Sequence, residues 1–217
     1  MFDIALYGHL TIDRIFEGFE SRNDLGSIAN VWKELYNIDD SLKIHICPTD
    51  LGSAIVYIDK STSERFSKAK LSSRYSPPNI QSTKINHVLY LNELYDASFI
   101  KKLNGIVCAD VCVGKPIKTE YLPYIDYLLI SDEDIVDYDF LNENVRGKVL
   151  VHSSHGSSCD DFNYELPEEK ILEDVNVLGA GDMFAAYFLY GLFKNKMLQD
   201  NIKNAHLKTT ERLHEKI

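Results

Sequence analysis

Five short apolar runs are the feature that most constrains the fold of this 217-residue chain. Each run is apolar on consecutive positions, as a strand requires when both faces of a parallel sheet are covered. The runs are 3–8, 87–92, 105–111, 127–131 and 148–154. Helix-like stretches with acidic first turns lie between them, at 96–103, 118–125 and 132–144. This alternation predicts βαβ units in a three-layer α/β domain, whose ligands bind beyond the carboxyl ends of the strands.

Residues 43–71 break this rhythm, because their apolar and polar residues alternate as in half-exposed strands joined by polar turns. Residues 72–84 follow, and Pro77 and Pro78 within them are typical of a return linker. The pattern predicts a small antiparallel flap on the sheet edge, and both a lid over the ligand crevice and a plain edge hairpin fit it. We expect a single domain over 1–217, with a small lid formed by about 14–25 and 43–71.

Composition and charge narrow the class of protein. The chain is 45% hydrophobic and 26% charged, enough apolar content for one buried core. Acidic residues outnumber basic ones by 33 to 23, for a net charge of -10, so a nucleic acid is not an expected partner. The stretch MFDIALYGHLTID has no basic leader, and no apolar run reaches membrane-spanning length. We therefore expect a cytoplasmic protein without a membrane partner.

The stretch NVLGAGDMFAAYFLYGL, from Asn176 to Leu192, places a small-residue turn and one carboxylate before a long apolar segment. Gly179, Ala180 and Gly181 have no side chain larger than a methyl group, so a ligand can approach their backbone closely. Their N–H groups lie at the start of a predicted helix, where the dipole favours an anion. Asp182 is then either a helix-start acid or a carboxylate that takes a proton from a hydroxyl attacking a phosphate. These residues alone leave both interpretations open.

Several elements of the sequence, in order, resemble motifs of the ribokinase or PfkB family of carbohydrate and nucleoside kinases. The stretch from Asn176 is similar to the DTxGAGD signature and the apolar helix after it. LYGHLTIDRI (6–15) resembles the opening strand and turn, and GSIANV (26–31) resembles the GGxxN element. The other matching elements are LGSAIVYID (51–59) with the lid strand, YLLISDEDI (127–135) with the NxxE strand, and VLVHSSHGSS (149–158) with the TxGxxG strand and turn.

The resemblance implies a ribokinase-like three-layer α/β/α sandwich with a mostly parallel sheet and a small antiparallel β lid. It also implies ATP-dependent phosphorylation of a hydroxyl of a small sugar or nucleoside. Asp182 would be the general base, and the N–H groups of Gly179, Ala180 and Gly181 the anion hole for the transferred phosphoryl group. The other implied site residues are Asp13, Gly26 and Asn30 for the substrate, Ser153, Gly156 and Asn176 for ATP, and Asp134 for Mg²⁺. Family members often pair through the lid strands, which implies a homodimer.

Several positions depart from the family's motifs. They are Ser27 at the second glycine of GGxxN, Ser131 and Asp134 at the ends of NxxE, Val151 and Ser153 in TxGxxG, and Asn176, Val177 and Leu178 before GAGD. The segment between Asn30 and Gly52 is also shorter than in relatives. These departures keep two alternatives open. One is a catalytically weakened kinase-like protein that binds a sugar or nucleotide, and the other is an unrelated α/β protein whose GAGD turn is structural.

Overall fold

A mostly parallel sheet with antiparallel strands at its edges forms the centre of the protein. The computed structural model describes residues 1–59, 65–72, 77–111, 115–134, 136–172 and 178–215, and these contain ten paired strands. The strands are β1 (Phe2–Glu17), β2 (Glu20–Ser27), β3 (Ile44–Ile58), β4 (Arg65–Leu71), β5 (Thr83–Val88), β6 (Ile106–Asp110), β7 (Tyr127–Ser131), β8 (Lys148–His152), β9 (Gly156–Cys159) and β10 (Phe162–Glu165). Their order is β10-β9-β8-β7-β6-β5-β1-β3-β4, with β2 paired to β1.

The central strands β3, β1, β5, β6, β7 and β8 are parallel. Consecutive apolar residues predict this environment for β1, β6, β7 and β8. The run 87–92 overlaps β5 only at its carboxyl end, because the strand stops at Val88 and a turn follows. In β1, Ile4 and Leu6 point into the apolar core on one face of the sheet. Ala5 and Tyr7 point into a second core on the opposite face. The sheet is therefore covered on both sides, and the prediction of a three-layer α/β arrangement is confirmed.

Three helices cover the first face: α1 (Ile28–Ile38), α3 (Ala180–Phe193) and α4 (Leu198–His214). The second face is covered by α2 (Tyr138–Asn144) and by two 3₁₀ helices, Ser98–Lys102 and Thr119–Tyr124. A third 3₁₀ turn spans Glu168–Lys170. The helix-like stretches 96–103 and 118–125 are thus 3₁₀ helices rather than α-helices. Pro123 lies inside the second and cannot donate a backbone hydrogen bond, which limits its length.

Strands β1 and β3 continue beyond the central sheet into a four-stranded extension. After a register shift between Gly8 and His9, Leu10–Glu17 pairs with β2 antiparallel and with Leu51–Ile58 parallel, and β4 then adds antiparallel to β3. We call these four segments the lid sheet. The sequence pattern suggested an antiparallel flap over 43–71, but Ile44–Cys47 belongs to the central sheet and all of β3 runs parallel to β1. Pairing across long sequence distances, rather than local alternation, sets that direction.

Within the described ranges, no helix has the length and apolar character that a bilayer crossing requires.

Candidate active site

The carboxyl ends of the parallel strands bring polar side chains to one edge of the sheet, as expected for open α/β sheets. Tyr90 lies in the turn after β5, and Asp110 is the last residue of β6. Asp134 lies in the turn after β7, and His152 ends β8. The start of α3, with Asp182 in its first turn, lies at the same edge, because Tyr90 contacts Asp182 directly.

The turn before α3 has the geometry of an anion site. Gly179 is the residue before the helix and has a left-handed backbone with φ 79°, a conformation that glycine adopts without strain. The helical ladder begins with Met183, whose N–H donates to the Gly179 carbonyl at 2.9 Å. The N–H groups of Ala180, Gly181 and Asp182 therefore precede the ladder and have no acceptor one turn back in the helix. Together with the helix dipole they favour a bound anion.

His152 borders this turn. A β-carbon built on Gly181 would lie 3.7 Å from its Cε1 atom, in ordinary contact. Burial, with a smaller repulsion from His206, lowers the pKa of His152 to about 4. The ring next to the anion turn is therefore neutral at pH 7 and adds no positive charge there.

Asp182 is buried, and two side chains hold its carboxylate in place. Asn30 Nδ2 donates to Oδ2 at 2.8 Å, and Tyr90 Oη donates to Oδ1 at 3.0 Å. Burial, and to a smaller degree the charge of Asp110, raise the pKa of Asp182, which lies at about 6. The hydrogen bonds from Asn30 and Tyr90 and the nearby His87 lower this pKa and so oppose the shift. A carboxylate that titrates near pH 6 in a fixed orientation suits a general base.

Asp13 and Gly26 fit together on the inner face of the lid sheet. A β-carbon built on Gly26 would overlap the carboxylate of Asp13, so only glycine admits this side-chain position. Burial raises the pKa of Asp13, against a hydrogen bond from Thr11 that lowers it. Its Oδ1 atom is buried and has no hydrogen-bond partner within the described residues. An unpaired buried carboxylate oxygen is well suited to accept a hydrogen bond from a ligand hydroxyl.

Asn30 and Asp182 were both predicted as site residues, and the structure places them in contact. Tyr90 and Asp110 also belong to this cluster, and the sequence did not predict them. Asp110 lies near the end of the apolar run 105–111 and is the last residue of β6, and a polar residue at the carboxyl end of a buried strand is the signal that could have identified it. Tyr90 follows β5 inside the apolar run 87–92, where its aromatic ring gives no sign of a polar role.

Comparison with known proteins gives matches among solved structures only. No protein-family model matches the sequence, and none of the curated proteins matches it. The adenosine kinase of Sinorhizobium meliloti superimposes with a TM-score of 0.76 at 12% identity, over 96% of this chain and 92% of that one. The fructokinase of Vibrio cholerae O395 gives a TM-score of 0.68 at 15% identity, over 100% of both chains. This chain has the ribokinase-like fold.

A third solved structure with the ribokinase-like fold is described as a pyrophosphate-dependent kinase in the ribokinase family. Its TM-score is 0.67 at 16% identity, over 97% of this chain and 95% of that one. At such identities the likeness establishes the fold, and the roles of individual residues depend on the local geometry of this chain.

One position of this ribokinase-like chain is strained. Ser27, directly before α1, has φ 61° and ψ −125°, a backbone conformation that residues other than glycine avoid. Its hydroxyl is buried without a hydrogen-bond partner among the residues that the structure describes. Both features disfavour serine at this position, which precedes Asn30 by less than one helical turn.

Ser27→Gly is expected to raise the free energy of unfolding by about 1 kcal/mol, because relief of strain exceeds the added entropy of the unfolded chain. For a chain of this size the melting temperature should rise by about 2–4 °C, measurable by circular dichroism. Ser53→Gly is the matched control, because Ser53 lies within the extended strand β3, and that change should lower the melting temperature. A lower melting temperature for Ser27→Gly would contradict the strain.

The turn between β8 and β9 contains the predicted ATP residues Ser153 and Gly156. The Ser153 hydroxyl accepts the N–H groups of His155 and Gly156 at 3.0 and 3.1 Å and donates to the Gly156 carbonyl at 3.2 Å. A β-carbon on Gly156 would overlap the carbonyl oxygen of Tyr164. Both residues therefore shape a tight turn that starts next to His152, and ATP binding there stays a prediction.

The predicted magnesium residue Asp134 is buried after β7, where its Oδ2 accepts the N–H of Ser131 at 2.9 Å. Burial raises its pKa, and the charges of Asp110, Glu133 and Asp132 raise it further. No cluster of three or more His, Cys, Asp or Glu side chains suited to a metal occurs in the described ranges. Asn176, predicted to bind ATP, lies outside the described residues.

Proposed function

We propose that this protein transfers a phosphoryl group from ATP to a hydroxyl of a small sugar or nucleoside. The observation that carries the proposal is the position of Asp182. Its carboxylate lies one residue after a glycine-rich helix start and is fixed by hydrogen bonds from Asn30 and Tyr90. Proteins with the same fold include an adenosine kinase and a fructokinase, which supports both acceptor classes.

In this proposal Asp182 is the general base. The ionised carboxylate takes the proton of the acceptor hydroxyl as that oxygen attacks the phosphorus atom. The hydrogen bonds from Asn30 and Tyr90 fix the carboxylate for this transfer. Asp13, Asn30 and Gly26 form the acceptor side, with Asp13 accepting a hydrogen bond from a substrate hydroxyl and Gly26 leaving room for Asp13.

The N–H groups of Gly179, Ala180 and Gly181 form the anion hole for the transferred phosphoryl group. Phosphoryl transfer depends mainly on positioning and on neutralising charge on the equatorial oxygens, and backbone donors at a helix start supply both. We place the turn with Ser153 and Gly156 on the donor side, because His152, directly before it, lies beside Gly181. We propose that this turn and Asn176 bind the phosphates of ATP.

One carboxylate is enough for a Mg²⁺ site of this kind, since Mg²⁺ keeps several waters and is bound by one or two carboxylates together with substrate phosphates. Asp134 would hold it through water, and the bound cation would offset the burial and the neighbouring carboxylate charges that raise the pKa of Asp134. When bound, Mg²⁺ would offset the charge of the donor phosphates.

A catalytically weakened binding protein is the second candidate function. Ser131 stands where the family motif has asparagine, and the Ser153 hydroxyl is already used within its own turn. Such a protein would keep the acceptor side, including Asp13 and Asn30, and would bind a sugar or nucleotide without efficient transfer.

A coupled ADP-release assay over sugars and nucleosides tests the proposed function, with calorimetry on the same ligands. The expected result is ADP release that depends on one acceptor class and on Mg²⁺. Ligand binding without release of ADP from ATP in the presence of any acceptor would favour the binding protein instead.

We also propose a cytoplasmic location, where ATP is available. Cys47, Cys108 and Cys159 are free thiols, which agrees with a reducing compartment.

We propose a homodimer formed through the outer face of the lid sheet. Apolar side chains from all four of its segments are exposed on that face. They are Ile12, Leu25, Leu51, Ile55, Tyr57 and Phe66. Tyr57 and Phe66 are cross-strand partners, 50% and 63% exposed. Exposed apolar side chains gathered on one face of a sheet mark an interaction surface, and a second copy of the chain would bury them.

Tyr57→Lys is expected to weaken the dimer by about 100-fold or more, because a buried ammonium would replace an apolar ring. Analytical ultracentrifugation should show the wild-type chain at twice its chain mass and the variant at the chain mass. Tyr36→Lys, on the exposed face of α1, is the matched control and should remain dimeric. A wild-type chain that sediments as a monomer would rule out the dimer.

A further inference from the structure

A chain of polar contacts leads from the interior of the sheet to Asp182. It begins at His87, which is fully buried in β5 and lies with Nε2 3.4 Å from Asp110 Oδ2. The other carboxylate oxygen of Asp110 accepts the backbone N–H of Tyr90. Tyr90 then donates its hydroxyl to Asp182. Three residues that the family motifs do not include are therefore connected to the proposed base.

The backbone of Tyr90 is held in an unfavourable conformation. Its φ of 54° lies in the left-handed region, which bulky residues rarely adopt and which costs free energy unless surrounding contacts impose it. Those contacts are present. Asp110 binds the N–H of Tyr90 and also accepts the Leu91 N–H on its own carbonyl at 2.9 Å, while the Tyr90 carbonyl accepts the Glu93 N–H at 2.8 Å.

This conformation lets the side chain reach Asp182 from a neighbouring strand end. Asn30 binds one oxygen of Asp182 from α1, and Tyr90 binds the other from the turn after β5. The two donors approach from different elements, so together they restrict rotation of the carboxylate. Without Tyr90, Asn30 would be the one side chain in the described ranges that donates a hydrogen bond to this carboxylate.

We propose that Tyr90 is a positioning residue for Asp182, and that Asp110 holds Tyr90 in its left-handed conformation. The inference rests on the proposed function, since it assigns Asp182 the role of base. Tyr90 would keep the carboxylate oriented and favour its ionised form, whereas Asp110 would oppose ionisation by charge repulsion.

Some of the groups that face Asp182 raise its pKa and others lower it, so substitutions at these groups test the proposal. The charged and titratable groups are Asp110 from β6, His87 from β5 and Tyr90 from the turn after β5, and Asn30 of α1 is the neutral donor. The hydrogen bond from Tyr90 favours the carboxylate, so Tyr90→Phe should raise the pKa of Asp182. The charge of Asp110 disfavours the carboxylate, so Asp110→Asn should lower that pKa. Asparagine keeps an oxygen that can accept the Tyr90 N–H, which preserves the turn.

The pKa of Asp182 can be measured directly by NMR in protein labelled with ¹³C at the aspartate carboxyl carbons. Its signal is assigned by its loss in Asp182→Asn. We expect a midpoint about one pH unit higher in Tyr90→Phe and about one unit lower in Asp110→Asn. Tyr36→Phe, at an exposed position of α1, is the matched control and should leave the midpoint unchanged. The acidic limb of the pH profile of kcat should shift in the same two directions.

An Asp182 midpoint that does not rise in Tyr90→Phe would overturn the proposal, whether or not the enzyme turns over. Shifts of equal sign in the two variants would also overturn it, because a general loss of structure would produce them. If Asp110→Asn does not fold, Tyr90→Phe alone decides, since it removes a single oxygen. Failure of the proposed function is distinct, because then no acceptor is phosphorylated while the NMR midpoints still shift.

Discussion

Replacing Asp182 with asparagine is expected to lower kcat for phosphoryl transfer on the order of 10³-fold, the scale of a lost general base. Asparagine has nearly the same shape, and its oxygen can still accept one of the hydrogen bonds from Asn30 and Tyr90. It cannot take a proton from the acceptor hydroxyl. Substrate binding should change little, so KM should stay within a few-fold of the wild-type value.

Stability serves as the control for this variant. Because burial raises the pKa of Asp182 to about 6, ionisation costs the folded state free energy as pH rises from the unfolded value near 3.8. Above pH 6 that cost is fully present, and the neutral asparagine removes it. The melting temperature of Asp182→Asn at pH 8 should therefore equal or exceed that of the wild type. Retained activity in a folded Asp182→Asn variant would exclude Asp182 as the base.

Gly26→Ala is expected to raise KM for the acceptor by on the order of 100-fold, because a displacement of about 1 Å in a positioning group has effects of that size. The added methyl group would occupy the space of the Asp13 carboxylate and force that side chain to move. The effect should fall on the acceptor, while KM for ATP changes little.

A double-mutant cycle between Gly26→Ala and Asp13→Ala provides the measurement. If Gly26 acts by making room for Asp13, the alanine at 26 should add little to the loss already caused by Asp13→Ala. Additive effects of the two changes on acceptor KM would show that Gly26 acts independently of Asp13.

The central sheet could be predicted from sequence because its strands are buried on both faces. Consecutive apolar residues, such as Ile4 to Tyr7, mark this environment directly, and their alternate side chains enter the two cores. The parallel direction of β3 could not be predicted, because half-exposed strands alternate in the same way whichever way they run.

Some residues of the candidate site could also be predicted from sequence, and others could not. Asp182 and its turn follow from local chemistry at a helix start, and the family motif adds Asn30, which the structure places 2.8 Å from Asp182. Tyr90 could not be predicted, because its contact depends on a left-handed backbone imposed by Asp110, twenty positions further along the chain. Ser153 shows that a motif position does not fix a side chain's contacts. Its place in the motif predicts ATP binding, but its hydroxyl accepts backbone N–H groups within its own turn.

Phosphorus NMR of a complete reaction tests the central claim most directly. The wild-type protein is incubated with Mg²⁺, an acceptor that binds by calorimetry, and either ATP or pyrophosphate, because one protein with this fold is described as pyrophosphate-dependent. We expect a new phosphomonoester signal from the acceptor, at the expense of the γ-phosphate of ATP, and no such signal with Asp182→Asn. Bound acceptor and unchanged donor signals after prolonged incubation with both donors would contradict it.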